Sequence, residues 1–420
     1  MSTPSGRENL HHHNLHHHVA RMSGRDTHEA HRVATSLELL FDLTFVISFG
    51  LAASHFAHAL AEGHYAAGLL GFGFASFAIC WAWTNFSWFS SAYDTDDWVF
   101  RLMTMAQMVG VLVLAIGLPR MFASLEDHDG RIDNSIIVAG YVIMRFVMML
   151  QWLRASRQDP ARRRACLTYA IAIPVAQVGW IAQMFSDLSA NATLGFVCVL
   201  VLIEQIGPAV AERVNGGTPW HAHHIAERYS LFAIIALGEG LVGTVASLSA
   251  VVGNQGWTLD AMLVCMAGVG LTFGIWWTYQ LLPSARILHE HRNRVFVWAY
   301  IQMLICSTTV AMGAALHVAA YYLGHEANIS AFATLLVTAI AVGTLLILLY
   351  TLHYYLIRKV DRFHIWLLLL TTAILAAAIL AALAGIGMSL CLCILALAPV
   401  VTIVGYEWKG HLHQAASVAP

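Results

Sequence analysis

Four charged residues lie well inside long apolar segments of this 420-residue chain: Asp42, Arg145, Glu204 and Glu239. A charge at the centre of a bilayer costs about 2.5–3.5 kcal/mol on insertion scales. Charged side chains at such depth are therefore functional candidates, and a series of ionisable groups is what a proton or cation pathway requires. We take these four residues as a candidate ion or proton pathway.

The single arginine can neutralise only one of the three acids. We expect Arg145 to form a structural salt bridge with one carboxylate, either Glu204 or Glu239. The two remaining carboxylates must each be protonated, lie beside water or bind a cation, because an isolated charge is costly in hydrocarbon. A conducting pathway would meet these conditions, and so would a water-filled vestibule that transports nothing.

The composition explains why so few charges stand out. The chain is 59% hydrophobic and 11% charged, with a mean hydropathy of +0.67, whereas a soluble domain carries about 25% charged residues. Disorder is excluded because it requires low hydrophobicity. A bilayer core needs roughly 20 apolar residues per helix. Runs of about this length predict twelve transmembrane helices: 37–60, 67–90, 99–122, 135–154, 164–186, 193–213, 228–251, 259–281, 295–322, 331–357, 364–384 and 388–408.

The lysines and arginines set the expected orientation. With a cytoplasmic N-terminus, nineteen of them fall on the cytoplasmic side and only Arg120 and Arg131 on the other, which is a strong positive-inside pattern. We therefore predict that both termini are cytoplasmic. Residues 1–36 form a polar tail with a histidine-rich tract and no apolar region typical of a cleaved signal peptide, and residues 409–420 form the second tail.

The two halves of the chain resemble each other. Residues 81–84 (Trp-Ala-Trp-Thr) are similar to residues 276–278 (Trp-Trp-Thr), and a Gln-Met pair recurs at nearly the same offset. Six helices per half would give parallel repeats related by an axis along the membrane normal. We therefore predict an all-α bundle of two six-helix repeats, 37–213 and 228–408. Composition bias in Trp-rich and Gly-rich helices is the alternative explanation.

Metal and cofactor chemistry has weak support in the sequence. His55, His58 and Glu62 share one helix face at a predicted membrane interface, where histidine is common. A second group, His221, His223 and His224, falls in a predicted cytoplasmic loop. No phosphate-binding loop, dinucleotide fingerprint or nucleophile motif is present. We therefore predict no metal, no cofactor, no enzymatic activity and no nucleic-acid partner. The expected partners are membrane lipids and a small cation or proton, and the oligomeric state is left open.

Two motifs carry a resemblance to a known family. The run from Leu37 to Val46, which contains Glu38, Phe41 and Asp42, is similar to the first signature of the bacterial low temperature requirement protein A family. Glu227-Arg228 and the later Gly238-Glu239 are similar to its second signature. The resemblance covers roughly residues 33–408, with Leu40 and Thr44 as departures from the usual residues.

The resemblance implies a multi-pass protein of the bacterial inner membrane that is linked to growth in the cold, with no established molecular activity. The first signature also distantly resembles the helix motif of a two-repeat potassium channel family with six helices per repeat, although Leu40-Phe41-Asp42 lacks the serine of that motif.

Three functions remain open. The first is a transporter or channel for a small ion, with proton coupling, that uses the intramembrane carboxylates. The second is a non-transporting scaffold or sensor in which the acids are structural. The third is an intramembrane enzyme acting on lipid, for which Asp42 with Glu38 is the only candidate pair. We favour the first.

Overall fold

The computed structural model of the protein describes residues 19–26, 29, 32–127, 130–326, 329–358 and 362–410. Within these residues the chain forms helices and no strand, which confirms the predicted all-α class. The histidine-rich tract of the N-terminal tail and most of the C-terminal tail lie outside the described residues.

Thirteen α-helices follow one another along the described chain. They are α1 (Ser36–Ala61), α2 (Tyr65–Tyr93), α3 (Trp98–Glu126), α4 (Ser135–Gln158), α5 (Arg163–Met184), α6 (Ala190–Ala211), α7 (Ala222–Gln255), α8 (Leu259–Gln280), α9 (Ser284–Glu290), α10 (Val295–Leu323), α11 (Ala331–Ile357), α12 (Arg362–Leu383) and α13 (Met388–Gly405). Apart from the seven-residue α9, they lie in twelve segments long and apolar enough to cross a membrane. The predicted number of spans is therefore confirmed.

The helix ends follow local sequence signals. Ser189, Thr258 and Ser330 cap α6, α8 and α11, each side chain accepting a hydrogen bond from a backbone N–H of the first turn. Such caps satisfy donors that the helix itself leaves without partners. Gly385, at φ +79°, makes the turn between α12 and α13, the weakest divide in the hydropathy pattern, because glycine adopts positive φ without strain.

Most helix bounds lie within four residues of the predicted spans, and two regions differ by more than that. Helix α7 has 34 residues and begins at Ala222, six residues before the predicted start at 228. Its first turns carry His224 and Arg228, and both are fully buried, so they are shielded by protein although they lower the hydropathy. The predicted loop before α10 also contains α9.

The chain forms two compact units that do not follow the order of the sequence. The first consists of the described residues of Met1–Thr44, together with Thr84–Gly117 and Asn134–His221. The second consists of Phe45–Trp83, Leu118–Asp133 and the described residues from Ala222 onward. Helices α1, α2 and α3 contribute to both units. The predicted division into repeats at 37–213 and 228–408 remains a prediction.

Aromatic side chains fill the core of the first unit. The Trp152 ring stacks on Tyr169 with ring centroids 4.1 Å apart, and Phe89 meets Trp152 edge-on at 4.8 Å. Helices α3 and α4 approach closely at two glycines. A Cβ atom at Gly110 would lie 2.8 Å from the carbonyl oxygen of Gly140. Small residues at helix crossings permit such backbone contact, which is typical of membrane bundles.

The second unit has a similar crossing between α7 and α10. A Cβ atom at Gly243 would lie 2.6 Å from the carbonyl oxygen of Gly313, and one at Gly313 would lie 2.6 Å from the Cβ of Glu239. The two backbones are therefore in direct contact at Glu239, a predicted site residue. The hydroxyl of Ser247 on α7 also donates to the carbonyl of Leu316 on α10 at 2.7 Å.

Candidate functional site

A closed polar cluster in the first unit holds two of the four predicted residues. Arg145 of α4 donates from Nη2 to Oε2 of Glu204 on α6 at 2.8 Å, and Gln177 of α5 donates to the other Glu204 oxygen at 2.9 Å. The Arg145 guanidinium also lies 5.7 Å from the centroid of the Tyr141 ring. Arg145 and Glu204 are each less than 5% exposed.

This cluster answers the question of which acid neutralises Arg145. The sequence left Glu204 and Glu239 as alternatives, and the ion pair forms with Glu204. Both charges are out of water, so their attraction is weakly screened and each depends on the other. Gln177 donates to the second oxygen of the Glu204 carboxylate and so joins α5 to the pair.

Asp42 lies on the part of α1 that belongs to the first unit and is fully buried. The ring of its neighbour Phe41 packs on Phe86 with centroids 3.8 Å apart. The hydroxyl of Thr44, two residues after Asp42, donates to the Phe41 carbonyl at 2.7 Å. The first family signature is therefore a buried, tightly packed helix segment.

Glu38, one turn before Asp42, has a local structural role. The backbone N–H of Thr35 donates to Glu38 Oε2 at 2.8 Å, and the Glu38 N–H donates to the Thr35 hydroxyl at 3.3 Å. This reciprocal arrangement is a capping box, in which two residues three apart satisfy the free backbone donors of a helix start. Residues 35–38 (Thr-Ser-Leu-Glu) have the sequence pattern of a capping box. Hydropathy alone does not detect this pattern.

A second buried charge cluster surrounds the same end of α1. Arg32 lies 4.0 Å from a Glu38 oxygen and 3.7 Å from Asp94, which follows α2, and it also donates to the carbonyls of Ser90 and Ser91. Burial lowers the pKa of Arg32 to about 10, although Glu38 and Asp94 oppose this shift. Burial and the nearby Glu38 charge raise the pKa of Asp94 to about 6 against the opposing arginines.

The Asp94 carboxyl predicts a pH dependence of stability. Its folded-state pKa of about 6 exceeds its ordinary value of 3.8, so the folded state binds a proton more tightly than the unfolded state. Stability contributed by this group is therefore present at low pH and is lost as pH rises from about 4 to about 6, by up to about 3 kcal/mol, with no further change above. We expect Asp94→Asn to lack this loss.

The measurement is the midpoint of thermal unfolding of parent and Asp94→Asn proteins in detergent between pH 4 and pH 8. The matched control is Asp97→Asn, because burial is outweighed at Asp97 by hydrogen bonds from Arg154 and Phe100, which lower its pKa. Because the folded protein stabilises ionised Asp97, Asp97→Asn should lower the unfolding midpoint most at pH values where Asp97 is ionised in the parent. Identical pH profiles for the parent and Asp94→Asn would contradict the prediction.

The second family signature lies at the start of α7, in the second unit. Arg228 is fully buried, and its guanidinium lies 5.6 Å from the centroid of the Trp83 ring. Trp83 in turn stacks on Phe232, one turn after Arg228, at 4.0 Å. Glu227 is half-buried. Protein covers Arg228 completely, which explains why α7 can extend past the predicted boundary.

Glu239 occupies the α7–α10 crossing of the second unit. A Cβ atom at Gly50 of α1 would lie 3.4 Å from Glu239 Oε1, and one at Gly313 of α10 would lie 2.6 Å from the Glu239 Cβ. The residue is 5% exposed. Among the described residues, none donates a hydrogen bond to its carboxylate or forms an ion pair with it. This environment differs sharply from that of Glu204.

The glycines flanking Glu239 have different surroundings. A Cβ atom at Gly240 would lie 2.6 Å from the Thr272 hydroxyl and 3.3 Å from Met312, so this glycine serves close packing. A Cβ atom at Gly238 would meet no atom within 4 Å. Of these two glycines, only Gly240 is therefore required for close packing.

His317 is a further polar residue of this crossing. It follows Gly313 by one helical turn on α10, and a Cβ atom at Gly243, one turn after Glu239 on α7, would lie 2.9 Å from its ring. In the part of the chain that the structure describes, its buried Nε2 has no hydrogen-bond partner. Only the crossing of α7 and α10 places it one turn from Glu239.

The four predicted residues thus fall into separate environments. Arg145 and Glu204 form the closed pair, and Asp42 is buried in the same unit. Glu239 belongs to the second unit and is not part of the pair.

Metal sites are not assembled from the predicted histidines. The His55 ring stacks on Phe122 with centroids 5.5 Å apart, and His221 Nε2 contacts the carbonyl of Glu29 at 2.8 Å. Across the described ranges, no group of three or more His, Cys, Asp or Glu residues is arranged to hold a metal ion.

Twelve apolar helical segments with buried intramembrane charges define a multi-pass α-helical membrane protein. Residues 33–399 match the family model of the bacterial low temperature requirement A protein (LtrA). The chain belongs to this family, which confirms the resemblance carried by the two signatures, and it is a bacterial multi-pass membrane protein.

A similar curated relative is "Uncharacterized protein RA0937" of Rhizobium meliloti (strain 1021), which is 28% identical over 213 residues. The match spans 49% of this chain and 49% of the relative, so it covers about half the length of each. No solved structure matches the chain.

Proposed function

We propose that the protein is a transporter or channel for a small ion, linked to protons, in the bacterial inner membrane with both termini in the cytoplasm. Glu239 is the central residue of the proposed pathway. The supporting observation is its carboxylate, which is buried at the α1–α7–α10 contact and has no ionic or hydrogen-bonding partner among the described residues.

The physical argument rests on the cost of an isolated charge. A buried carboxylate without a partner must bind a proton, hold water or bind a cation. Two of these, the proton and the cation, would bring the proposed cargo to Glu239. His317, one turn along the same crossing, has a nitrogen that can accept or donate a proton, and we include it in the pathway. Asp42 belongs to the first unit and stays a candidate on its sequence position alone. Arg145 and Glu204 then serve to hold α4, α5 and α6 together.

The alternative is a non-transporting scaffold or sensor that acts in growth at low temperature. The Arg145–Glu204–Gln177 cluster favours it, since the two opposite intramembrane charges are paired with each other. An enzymatic role has less support because Glu38, half of the only candidate pair, is engaged in the capping box and near Arg32. We therefore propose no enzymatic activity, no cofactor and no nucleic-acid partner.

Flux through proteoliposomes tests the proposal. We expect the parent protein to carry proton, Na⁺ or K⁺ flux above empty vesicles, and we expect Glu239→Gln to reduce it at least tenfold. The amide keeps the size of the side chain but cannot exchange a proton or balance a cation's charge. The measurements are intravesicular pH and cation-sensitive dyes under imposed gradients of each ion.

Glu326→Gln is the matched control, because Glu326 is an exposed acid between α10 and α11. It should transport like the parent, and size-exclusion profiles should show that all three proteins assemble. Equal flux through parent and Glu239→Gln would remove Glu239 from the pathway. No flux above empty vesicles under any gradient would favour the scaffold or sensor.

A further inference from the structure

A cavity in the second unit lies among α8, α11, α12 and α13, away from Glu239. It encloses about 400 Å³, including the part open to solvent. Its apolar wall includes Leu282, Leu349 and Leu367, and its polar groups include Tyr350, His353 and His364. The cavity therefore combines an aliphatic wall with hydroxyl and imidazole groups in one space.

The polar groups are ordered within the wall. The Tyr350 hydroxyl lies 3.0 Å from the hydroxyl of Thr402, which joins α11 to α13. The rings of His353 and His364 lie 4.8 Å apart, which joins α11 to α12. These two contacts join α11 to α13 and to α12 beside the cavity.

Basic side chains lie at the end of α11 and at the start of α12, close in sequence to the residues that line the cavity. Arg358 ends α11 five residues after His353, and Arg362 begins α12 two residues before His364. Arg294 donates to the carbonyl of Leu356, near the end of α11. Lys409 follows the lining residue Tyr406 by three residues. Basic residues therefore lie within five residues of the lining residues His353, His364 and Tyr406, with the exposed acid Glu407 next to Tyr406. The positive-inside pattern predicts that these helix ends are cytoplasmic.

Two exposed tryptophans lie close in sequence to these basic residues. Trp366 is 69% exposed and Trp408 is 72% exposed. Each lies within four residues of a basic residue in the sequence, at Arg362 and Lys409. Tryptophans of this kind typically lie at the headgroup region of a bilayer. Exposed tryptophans and basic residues thus occur together on the helices that line the cavity.

We propose that this cavity is a binding site for one anionic phospholipid, whose acyl chain contacts the leucine wall and whose phosphate lies among Arg358, Arg362 and Lys409. Basic pockets between transmembrane helices on the cytoplasmic side suit anionic headgroups. A neutral phospholipid would fill the apolar wall equally well but would gain less from the cations. The site is independent of the pathway proposed for Glu239.

Native mass spectrometry of the protein from nanodiscs with equal phosphatidylglycerol and phosphatidylcholine tests the site. The parent should retain phosphatidylglycerol preferentially. Arg358→Gln/Arg362→Gln should lower its occupancy relative to phosphatidylcholine about tenfold, since each basic side chain near a membrane surface contributes substantially to anionic lipid binding. Leu349→Trp, which narrows the cavity, should lower retention of both lipids.

Arg163→Gln/Arg164→Gln is the matched control, because it removes two charges from the start of α5 in the other unit. Its lipid retention should equal that of the parent. Equal retention of the two lipids by the parent, equal losses in the two double variants, or full retention by Leu349→Trp would each overturn the proposal. A free anion is distinguished by adding inorganic phosphate, which should not displace the lipid.

Discussion

Arg145→Leu is expected to lower the free energy of unfolding by about 3–5 kcal/mol, because it leaves the Glu204 carboxylate buried without its cation. Glu204→Leu should cost a similar amount by leaving the guanidinium without its carboxylate. The two side chains are less than 5% exposed and lie 2.8 Å apart. Unfolding of the purified protein by sodium dodecyl sulfate measures both losses.

The double variant Arg145→Leu/Glu204→Leu separates a structural pair from two independent losses. Replacing both partners by apolar residues of similar size is often neutral, since the cost of desolvating the charges disappears with them. We expect the double variant to be more stable than either single variant. A loss equal to the sum of the two single losses would mean that the pair does not couple. The double variant should also retain ion flux if Glu239 carries it.

The second large effect concerns the α7–α10 crossing. Gly313→Ala should lower the free energy of unfolding by about 1–3 kcal/mol, close to the larger of these values. The reason is that the added methyl group would lie about 2.6 Å from the Cβ and backbone of Glu239. Backbone atoms cannot rotate away, so α7 and α10 must separate. We expect a lower midpoint of thermal unfolding and a reduced flux, since the separation displaces Glu239.

Gly270→Ala on α8 is the control for this substitution. A Cβ atom at Gly270 would meet nothing within 4 Å, and alanine is the better helix former by about 1 kcal/mol. Gly270→Ala should therefore be neutral or slightly stabilising, with unchanged flux. If Gly313→Ala and Gly270→Ala have the same stability, the two helices do not meet at Gly313 as closely as described.

The sequence predicted the membrane class and the number of spans because hydrophobic length is a local property. About 20 apolar residues are needed to cross a bilayer wherever they occur, and the division at Gly385 was visible as a short break. Helix α7 shows the limit of this reasoning. His224 and Arg228 are polar, so hydropathy excludes them from the span, whereas burial by other parts of the second unit allows the helix to include them.

The sequence by itself determined that four charged residues lie within apolar helices: Asp42, Arg145, Glu204 and Glu239. It could do so because the hydropathy of a segment is a local property, and the cost of a charge in hydrocarbon then makes these residues candidates. It also determined that one acid at most could be paired with arginine. Only the tertiary structure decided that Arg145 meets Glu204 and that Glu239 lies between Gly50 and Gly313. Pairing depends on which helix faces meet. Arg145 and Glu204 are 59 positions apart in the sequence and become neighbours only when α4, α5 and α6 come together.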